Sequence, residues 1–490
     1  MARTPNMERI VKFLFVNTDV KQTIIKNTFW LFTGESLGRL IKLGLIVYAA
    51  RELGAGGWGI FAYALSVASL LMIFSDIGIE NLIAREISQK KDNYKMFISA
   101  AFLLKSIILI ISIVLVIFVS PHISNITEAR GLFFTIAFIF FFDVIRNMGF
   151  AINRVMEKME REMMTKVIMN FVILGLGIIL ININPSPLSL SIAYVMGSAT
   201  GALLILFFIR KKIIEFITKT NMETVKLVLK TALPFAVISL VGSIMGNTDI
   251  FMLGIWKAPE DIGLYATAQR FFQFIIIIPS MIASASFPLM ARLANKDNEK
   301  FKMVLEKTLE IFMMIGIPIA FGGVILADQI IPLVFGQAYL GAIPVFQILM
   351  IMLLVSFPLI VLINSIFVYN QQKKLVLANI FGVLANVTLN FFLIPKFGII
   401  GATVATLIST SIIAWIMWRK MKEINDFDIL PALKTVILPV IVMTLTTLIL
   451  KHLGIGTILN IIISSTAYFL VLFLIKRSIL KELKEIIGAN

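Results

Sequence analysis

The sequence predicts an all-α polytopic membrane protein with fourteen transmembrane helices, grouped as two six-helix lobes and two C-terminal helices. The 490-residue chain is 59% hydrophobic and its mean hydropathy is +0.96, which is too apolar for a water-soluble protein. Apolar runs of about 20 residues recur, long enough to cross a hydrocarbon core about 30 Å thick. Lys and Arg are concentrated in alternate gaps between these runs, as membrane topology requires.

Hydropathy windows of about 19 residues predict the helices in order. The predicted spans are 28–50, 58–80, 95–119, 131–152, 166–183, 188–209, 231–254, 263–290, 308–326, 342–368, 375–394, 398–418, 430–450 and 455–475.

The net charge of +16 follows this topology. The termini and the even-numbered gaps, such as "NRVMEKMEREMMTK", hold most of the 44 Lys and Arg residues, whereas the odd-numbered gaps hold only Arg51, Arg130, Lys257, Lys396 and Lys451. Under the positive-inside rule, both termini lie in the cytoplasm of a protein that spans the cell (plasma) membrane several times. This accounts for the basic charge without a nucleic-acid partner.

The sequence lacks the residues that metal binding and nucleotide hydrolysis commonly require. The chain has no Cys and only two His, at His122 and His452, so we expect no metal site and no cofactor. It contains no GxxxxGK[ST] phosphate loop. Any uphill transport would therefore draw on the membrane potential or on a gradient of H⁺ or Na⁺.

An internal repeat sets the predicted domains. "GIFAYA" at 59–64 opens helix 2, and "GLYATA" at 263–268 opens helix 8; "LIAR", ending at residue 85, and "LMAR", ending at residue 292, follow in the same order. The repeat covers six helices, an even number, so both copies share one orientation. We predict an N-lobe at 1–225, a C-lobe at 226–425, and an appended helix pair with a cytoplasmic tail at 426–490.

Helix 1 carries charges where lipid would penalise them. Glu35, Arg39 and Lys42 follow i, i+4, i+7 spacing and so share one stripe of the helix. An ionised side chain at the bilayer centre costs about 2.5–3.5 kcal/mol, so it usually faces a partner or a wet cavity. We predict that this stripe faces a groove between the lobes.

Further charges lie within predicted spans, and the set has a basic excess. They are Lys105, Asp143, Arg146, Asp249 and Arg270. The basic members favour an anionic substrate, whereas Glu35, Asp143 and Asp249 are candidates for ion coupling or charge balance. Two of the pairs, Glu35 with Arg39 and Asp143 with Arg146, also have the spacing of structural ion pairs within one helix.

Four stretches resemble a known family. "RELGAGGWGIFAYA" (51–64), "SDIG" (75–78), "VFGQAYLGAIPVFQIL" (334–349) and "NFFLIPKFGIIGATVAT" (390–406) are similar to the oligosaccharide flippases of polysaccharide biosynthesis. These flippases belong to the multidrug/oligosaccharidyl-lipid/polysaccharide transporter superfamily. The resemblance spans roughly residues 28 to 420.

The resemblance implies a V-shaped, two-lobed transporter with a central cavity. Members flip polyprenyl-pyrophosphate-linked sugars to the outer leaflet, and the related lipid II flippases use cavity arginines on helices 1 and 8. By helix and charge, Arg39 and Arg270 would take that role here. Membrane lipids and proteins of glycan assembly are the expected partners.

The sequence-based hypothesis is therefore a lipid-linked oligosaccharide flippase, not an enzyme, that works by alternating access. Arg39, Lys42, Arg270 and Arg146 would bind the substrate's (pyro)phosphate. Two alternatives stay open. An ion-coupled multidrug or cation antiporter would need an acidic or aromatic cavity. A membrane glycan polymerase typically needs a large outer loop, and the longest outer gap here has only about fifteen residues.

Overall fold

The computed structural model describes residues 14–75, 94–216 and 220–476, and this part of the chain is built from helices without strands. The long helices are α1 (Val20–Met72), α2 (Tyr94–Phe118), α3 (Leu132–Val155), α4 (Met159–Ile183), α5 (Pro187–Phe216), α6 (Met222–Trp256), α7 (Pro259–Ile275), α8 (Ile277–Leu293), α9 (Asn298–Ile325), α10 (Ala327–Phe335), α11 (Ile343–Val368), α12 (Gln372–Ile424), α13 (Leu430–His452) and α14 (Thr457–Ile475). Shorter helical turns lie at Ile73–Ser75, Ser120–Ile123, Thr127–Ala129 and Gln337–Ala342.

The all-α membrane fold is confirmed. Eleven helical segments of the described residues are long and apolar enough to cross a membrane, and apolar side chains such as Leu203 (65% exposed) and Phe391 (57% exposed) cover their outer faces. Such exposure suits lipid as the surrounding solvent. The total of fourteen crossings stays a prediction, and part of the second predicted span, residues 76–80, lies outside the described residues together with the "LIAR" landmark.

Two helices are each long enough for two crossings. Helices α1 and α12 have 53 residues each, or about 80 Å at 1.5 Å per residue. Each contains one residue with positive φ, Gly54 (φ 66°) and Gly398 (φ 57°), a conformation that glycine adopts without steric cost. In α12 the chain reverses at Gly398, and the two halves lie side by side: the Asn386 side chain donates to Thr406 Oγ1 across 3.2 Å.

The contacts divide the chain into two compact units, residues 1–263 and 264–490. Helix α6, the seventh predicted span, packs on α1 and α2 and therefore belongs to the first unit. The sequence repeat instead begins the C-lobe at residue 226. Contacts between helices and repetition of sequence motifs are different criteria for dividing a chain into domains. The division at 1–225, 226–425 and 426–490 therefore stays a prediction.

Within the first unit, the two glycines that open the repeated motifs meet face to face. A Cβ on Gly59 would lie 1.8 Å from the carbonyl oxygen of Pro259, and a Cβ on Gly263 would lie 1.9 Å from that of Ala55. In each case the oxygen belongs to the residue four positions before the other glycine. The backbones at Gly59 and Gly263 approach this closely only because both positions lack a side chain.

Within the second unit, the C-terminal helix pair is fastened to α9. Pro318 has no N–H, so it cannot donate to the carbonyl of Met314 one turn earlier. The Tyr468 hydroxyl of α14 donates to that carbonyl across 2.7 Å, in a fully buried position. The pair Lys476–Glu310 adds an ionic contact between the end of α14 and α9.

The opposite end of the same helix pair is also held. Lys451 of α13 donates to the backbone oxygen of Ile325 at the end of α9 and pairs with Asp328 of α10, at 2.8 and 2.7 Å. Helices α13 and α14 are therefore fixed to the middle of α9 and to its C-terminal end, although the sequence repeat does not include them.

Candidate functional site

The charged stripe of α1 is bridged to α4 by a lysine. Glu35 accepts one bond from Arg39 Nε at 2.6 Å and a second from Lys166 Nζ at 3.1 Å. The Glu35 and Arg39 side chains are 42% and 49% exposed, whereas Lys166 is 22% exposed. Because exposed i, i+4 pairs contribute only about 0.3–0.5 kcal/mol, the Glu35–Arg39 pair can be exchanged at low cost.

A buried carboxylate fixes the other side of Lys166. Glu162 is 1% exposed; it accepts from Lys166 at 3.0 Å and from two nitrogens of Arg154 at 3.0 and 2.8 Å. The tight turn between α3 and α4, with Glu157 at φ 54°, brings Arg154 back over the start of α4. An acidic residue in the first turn of a helix is also favoured by the helix dipole. Loss of a partner of this buried carboxylate costs up to about 3 kcal/mol, so this contact is a fixed anchor.

Two aromatic rings flank the cationic groups. Lys166 Nζ lies 5.6 Å from the centroid of Phe150, and Lys42 Nζ lies 5.3 Å from that of Tyr194 on α5. Rings at this distance stabilise a cation by about 0.5–1 kcal/mol at an exposed site. Lys42 is exposed.

The second intrahelical pair is more enclosed. Arg146 bonds Asp143 at 2.5 Å, and Asp143 also accepts from Ser198 Oγ of α5 at 2.8 Å. The Arg146 side chain is 12% exposed and contacts Met169 and the ring of Phe150. The pair joins α3 to α4 and α5, and the predicted substrate contact of Arg146 stays a prediction.

The remaining predicted residues lie elsewhere. Asp249 on α6 and Lys105 on α2 are both 2% exposed in the first unit. Arg270 on α7, in the second unit, donates to Gln273 Oε1 at 3.0 Å. The predicted convergence of Arg39 with Arg270 stays a prediction, as do the roles of Asp143 and Asp249.

The site on α1 and α4 is positively charged and has no metal-type constellation. Arg39, Lys166 and Arg154 pair with two carboxylates, Glu35 and Glu162. Lys42 adds a further positive charge on α1, beside the ring of Tyr194. Within residues 14–75, 94–216 and 220–476, no three His, Cys, Asp or Glu side chains are grouped to hold a metal ion. Such an arrangement attracts and holds anions, with lysine and arginine as phosphate donors.

Lys166 is the residue that the sequence-based prediction of the site omitted. It lies at the first position of predicted helix 5, where the positive-inside rule already explains a lysine. Its i, i+4 spacing from Glu162 was the available signal. Its contact with Glu35 joins residues 131 positions apart, and no local pattern predicts that.

The second unit contains an apolar cavity of about 330 Å³. Helices α7, α9, α11, α13 and α14 line it, with Phe271, Pro318 and Phe469 among the contributing residues. Tyr468 and Ser464 also line the wall, and each already makes a hydrogen bond. The cavity is therefore suited to a hydrocarbon chain and not to a polar group.

The sequence matches known families over most of its length. The model of the family described as polysaccharide biosynthesis protein matches residues 24–294, and the MatE model matches residues 234–392. A probable low-salt glycan biosynthesis flippase, Agl15 of Haloferax volcanii, is 22% identical over 79% of this chain and 81% of its own. A putative O-antigen transporter of Shigella flexneri is 21% identical over 81% of this chain and 98% of its own.

Solved structures share the fold. Lipid II flippase MurJ in an inward closed conformation superposes with a TM-score of 0.76 at 19% identity, covering 92% of this chain and 99% of MurJ. A multidrug resistance MATE family transporter of the MOP superfamily, in an inward-facing conformation, gives a TM-score of 0.60 at 17% identity, covering 84% and 97%. Both are helical membrane transporters, in agreement with the predicted fold class.

Proposed function

Since the chain belongs to the polysaccharide biosynthesis protein family, we propose that it is a flippase for a polyprenyl-(pyro)phosphate-linked oligosaccharide. It would move this lipid from the cytoplasmic to the outer leaflet by alternating access, for surface polysaccharide or glycoprotein assembly. The observation that carries the proposal is the half-exposed cationic group on α1 and α4, inside segments long enough to span a membrane. Relatives described as flippases and as an O-antigen transporter support it.

The residue roles follow from exposure and charge. Arg39 and Lys42 bind the substrate's phosphate groups, because both are exposed on the charged stripe of α1. Arg270 is the proposed contact from the second unit. The polyprenyl chain stays in an apolar environment, and the cavity beside Pro318 offers one.

Two rival functions fit the residues less well. A cation or multidrug antiporter shares the superfamily fold, but the basic excess on α1 and α4 opposes a cationic substrate. A glycan polymerase would use an outer domain, whereas the outer connection from α9 to α11 consists of α10 and a short helical turn. The relatives described above are transporters by name and not enzymes.

Location and coupling complete the proposal. The chain lies in the cell membrane with both termini in the cytoplasm, which the distribution of Lys and Arg supports. Uphill flipping would draw on the membrane potential or on H⁺ or Na⁺, with Glu35, Asp143 and Asp249 as candidate coupling carboxylates. Collapse of each gradient in turn, in vesicles that flip the substrate, identifies which one drives transport.

A cellular experiment tests the proposed function. Cells that depend on this protein for their surface glycan would carry Arg39→Ala, with membrane expression measured in parallel. We expect a loss of surface glycan and a build-up of lipid-linked precursor on the cytoplasmic side. Normal surface glycan at normal expression would remove Arg39 from the mechanism. Efflux of cationic drugs without any glycan defect would favour the antiporter.

A further inference from the structure

The carboxylate of Glu35 occupies the position that a phosphate would take. It accepts from Arg39 on its own helix and from Lys166 on α4, at 2.6 and 3.1 Å, and so ties together two cations from different helices. The sequence pattern alone indicates only an intrahelical pair. A carboxylate held by two basic groups resembles a phosphate oxygen held by lysine and arginine.

The ion pairs around Lys166 fall into two groups. The pairs with buried Glu162 are fixed, whereas the pairs with half-exposed Glu35 can be exchanged. Lys166 keeps a second, buried partner in Glu162, which Arg154 holds in turn. If Glu35 moved away, Lys166 would still be positioned, and Arg39 would present its guanidinium from a side chain that is 49% exposed. Glu35 itself is 42% exposed and has room to leave.

We propose that Glu35 is a built-in substitute anion, which pairs with Arg39 and Lys166 in the empty transporter and is displaced by the substrate's phosphate. Lys166 is accordingly a further phosphate-binding residue. This inference rests on the proposed function and deepens it. Glu35 lowers the positive charge of the empty site within the membrane, where unpaired charge is costly, and it competes with the bound headgroup so that release stays fast.

The proposal predicts opposite effects for the two partners. Loss of the Glu35 charge removes the competitor, so Glu35→Gln should bind phosphate more tightly and release it more slowly. Loss of the Lys166 charge removes a ligand, so Lys166→Gln should bind it less tightly. In the double variant, most of the gain from Glu35→Gln should disappear, because residues in one network are not additive.

The test measures binding of inorganic pyrophosphate to the full chain in lipid nanodiscs by calorimetry, at fixed salt concentration. We expect Glu35→Gln to lower Kd about two- to fivefold and Lys166→Gln to raise it by a similar factor, since one exposed charged contact changes affinity on this scale. Glu35→Ala serves as a second variant and should also lower Kd. Glu423→Gln removes an equal charge from the exposed Lys420–Glu423 pair and should leave Kd unchanged.

A second arm uses proteoliposomes that contain a polyprenyl-pyrophosphate-linked oligosaccharide. There Glu35→Gln should flip the lipid more slowly than the wild type despite its tighter binding of pyrophosphate. An unchanged or raised Kd in both Glu35 variants, with a wild type that binds and flips, would overturn the inference and leave the proposed function intact. A wild type that binds no pyrophosphate and flips no lipid would overturn the proposed function as well.

Discussion

The hydroxyl of Tyr468 should stabilise the second unit by substituting for a hydrogen bond that Pro318 removes from α9. Tyr468→Phe deletes one oxygen and preserves the ring, so its effect isolates the 2.7 Å bond to the Met314 carbonyl. With Pro318 in place, the helix supplies no N–H from position 318 to replace it.

Two known magnitudes bound the decrease in the free energy of unfolding that we expect for Tyr468→Phe. A buried acceptor left without a partner costs about 1–3 kcal/mol, whereas hydrogen bonds between membrane helices average about 0.6 and reach about 1.7 kcal/mol. Because the Met314 carbonyl has lost its usual donor, the upper part of the membrane range applies, and we expect a loss of about 1–2 kcal/mol. For a unit of about 227 residues this lowers the melting temperature by about 2–8 °C.

Thermal unfolding in lipid nanodiscs measures this loss, and Tyr369→Phe is the matched control. The Tyr369 hydroxyl bonds Asn298 at 3.5 Å in an exposed position, so its loss should stay within about 0.5 kcal/mol. Pro318→Ala returns an N–H to the Met314 carbonyl, and Tyr468→Phe should then cost much less. An equal loss in the Pro318→Ala background, or a loss no larger than that of Tyr369→Phe, would refute the reasoning.

Three further predictions concern the first unit. Gly59→Ala should lower the melting temperature, because its Cβ would lie 1.8 Å from the Pro259 carbonyl oxygen. The control Gly44→Ala places a Cβ with nothing within 4 Å and should be neutral or stabilising by up to about 1 kcal/mol. Equal shifts in melting temperature for the two variants would contradict the close approach at Gly59. Glu162→Gln should reduce the yield of folded protein in size-exclusion chromatography by destabilising it by about 3 kcal/mol, and a wild-type melting curve would argue against a buried anchor. An increase in NaCl from about 50 to about 500 mM should weaken pyrophosphate binding, since screening shortens the reach of exposed charges; a constant Kd in calorimetry would exclude an ionic site.

The fold class is predictable from sequence because lipid imposes strong rules. Every backbone group must be paired within the hydrocarbon core, so long apolar runs become helices. Glycines mark the reversal in α12 and the starts of the repeated motifs. The sequence repeat identified Gly59 and Gly263 as equivalent, but their mutual contact is a tertiary fact that no local pattern contains.

The site is only partly predictable for a related reason. Spacing within a helix indicates the Glu35–Arg39 and Asp143–Arg146 pairs, and both pairs are present. Which pair stays accessible depends on neighbouring helices: Asp143 accepts from Ser198 of α5, whereas Glu35 faces Lys166 in a more open position. For Lys166, as for other lysines near helix ends, the positive-inside rule already explains a basic residue, so the sequence does not mark Lys166 as part of a site.

A flipping assay on the purified chain shows whether this protein moves a lipid-linked oligosaccharide across a membrane. Proteoliposomes would contain a fluorescent polyprenyl-pyrophosphate-linked oligosaccharide, and a membrane-impermeant quencher would report its appearance in the opposite leaflet. We expect fast transfer with the wild type, transfer at least tenfold slower with Arg39→Ala, and negligible transfer in protein-free vesicles. Transfer by the wild type no faster than in protein-free vesicles, with correctly folded protein present, would contradict the proposed function.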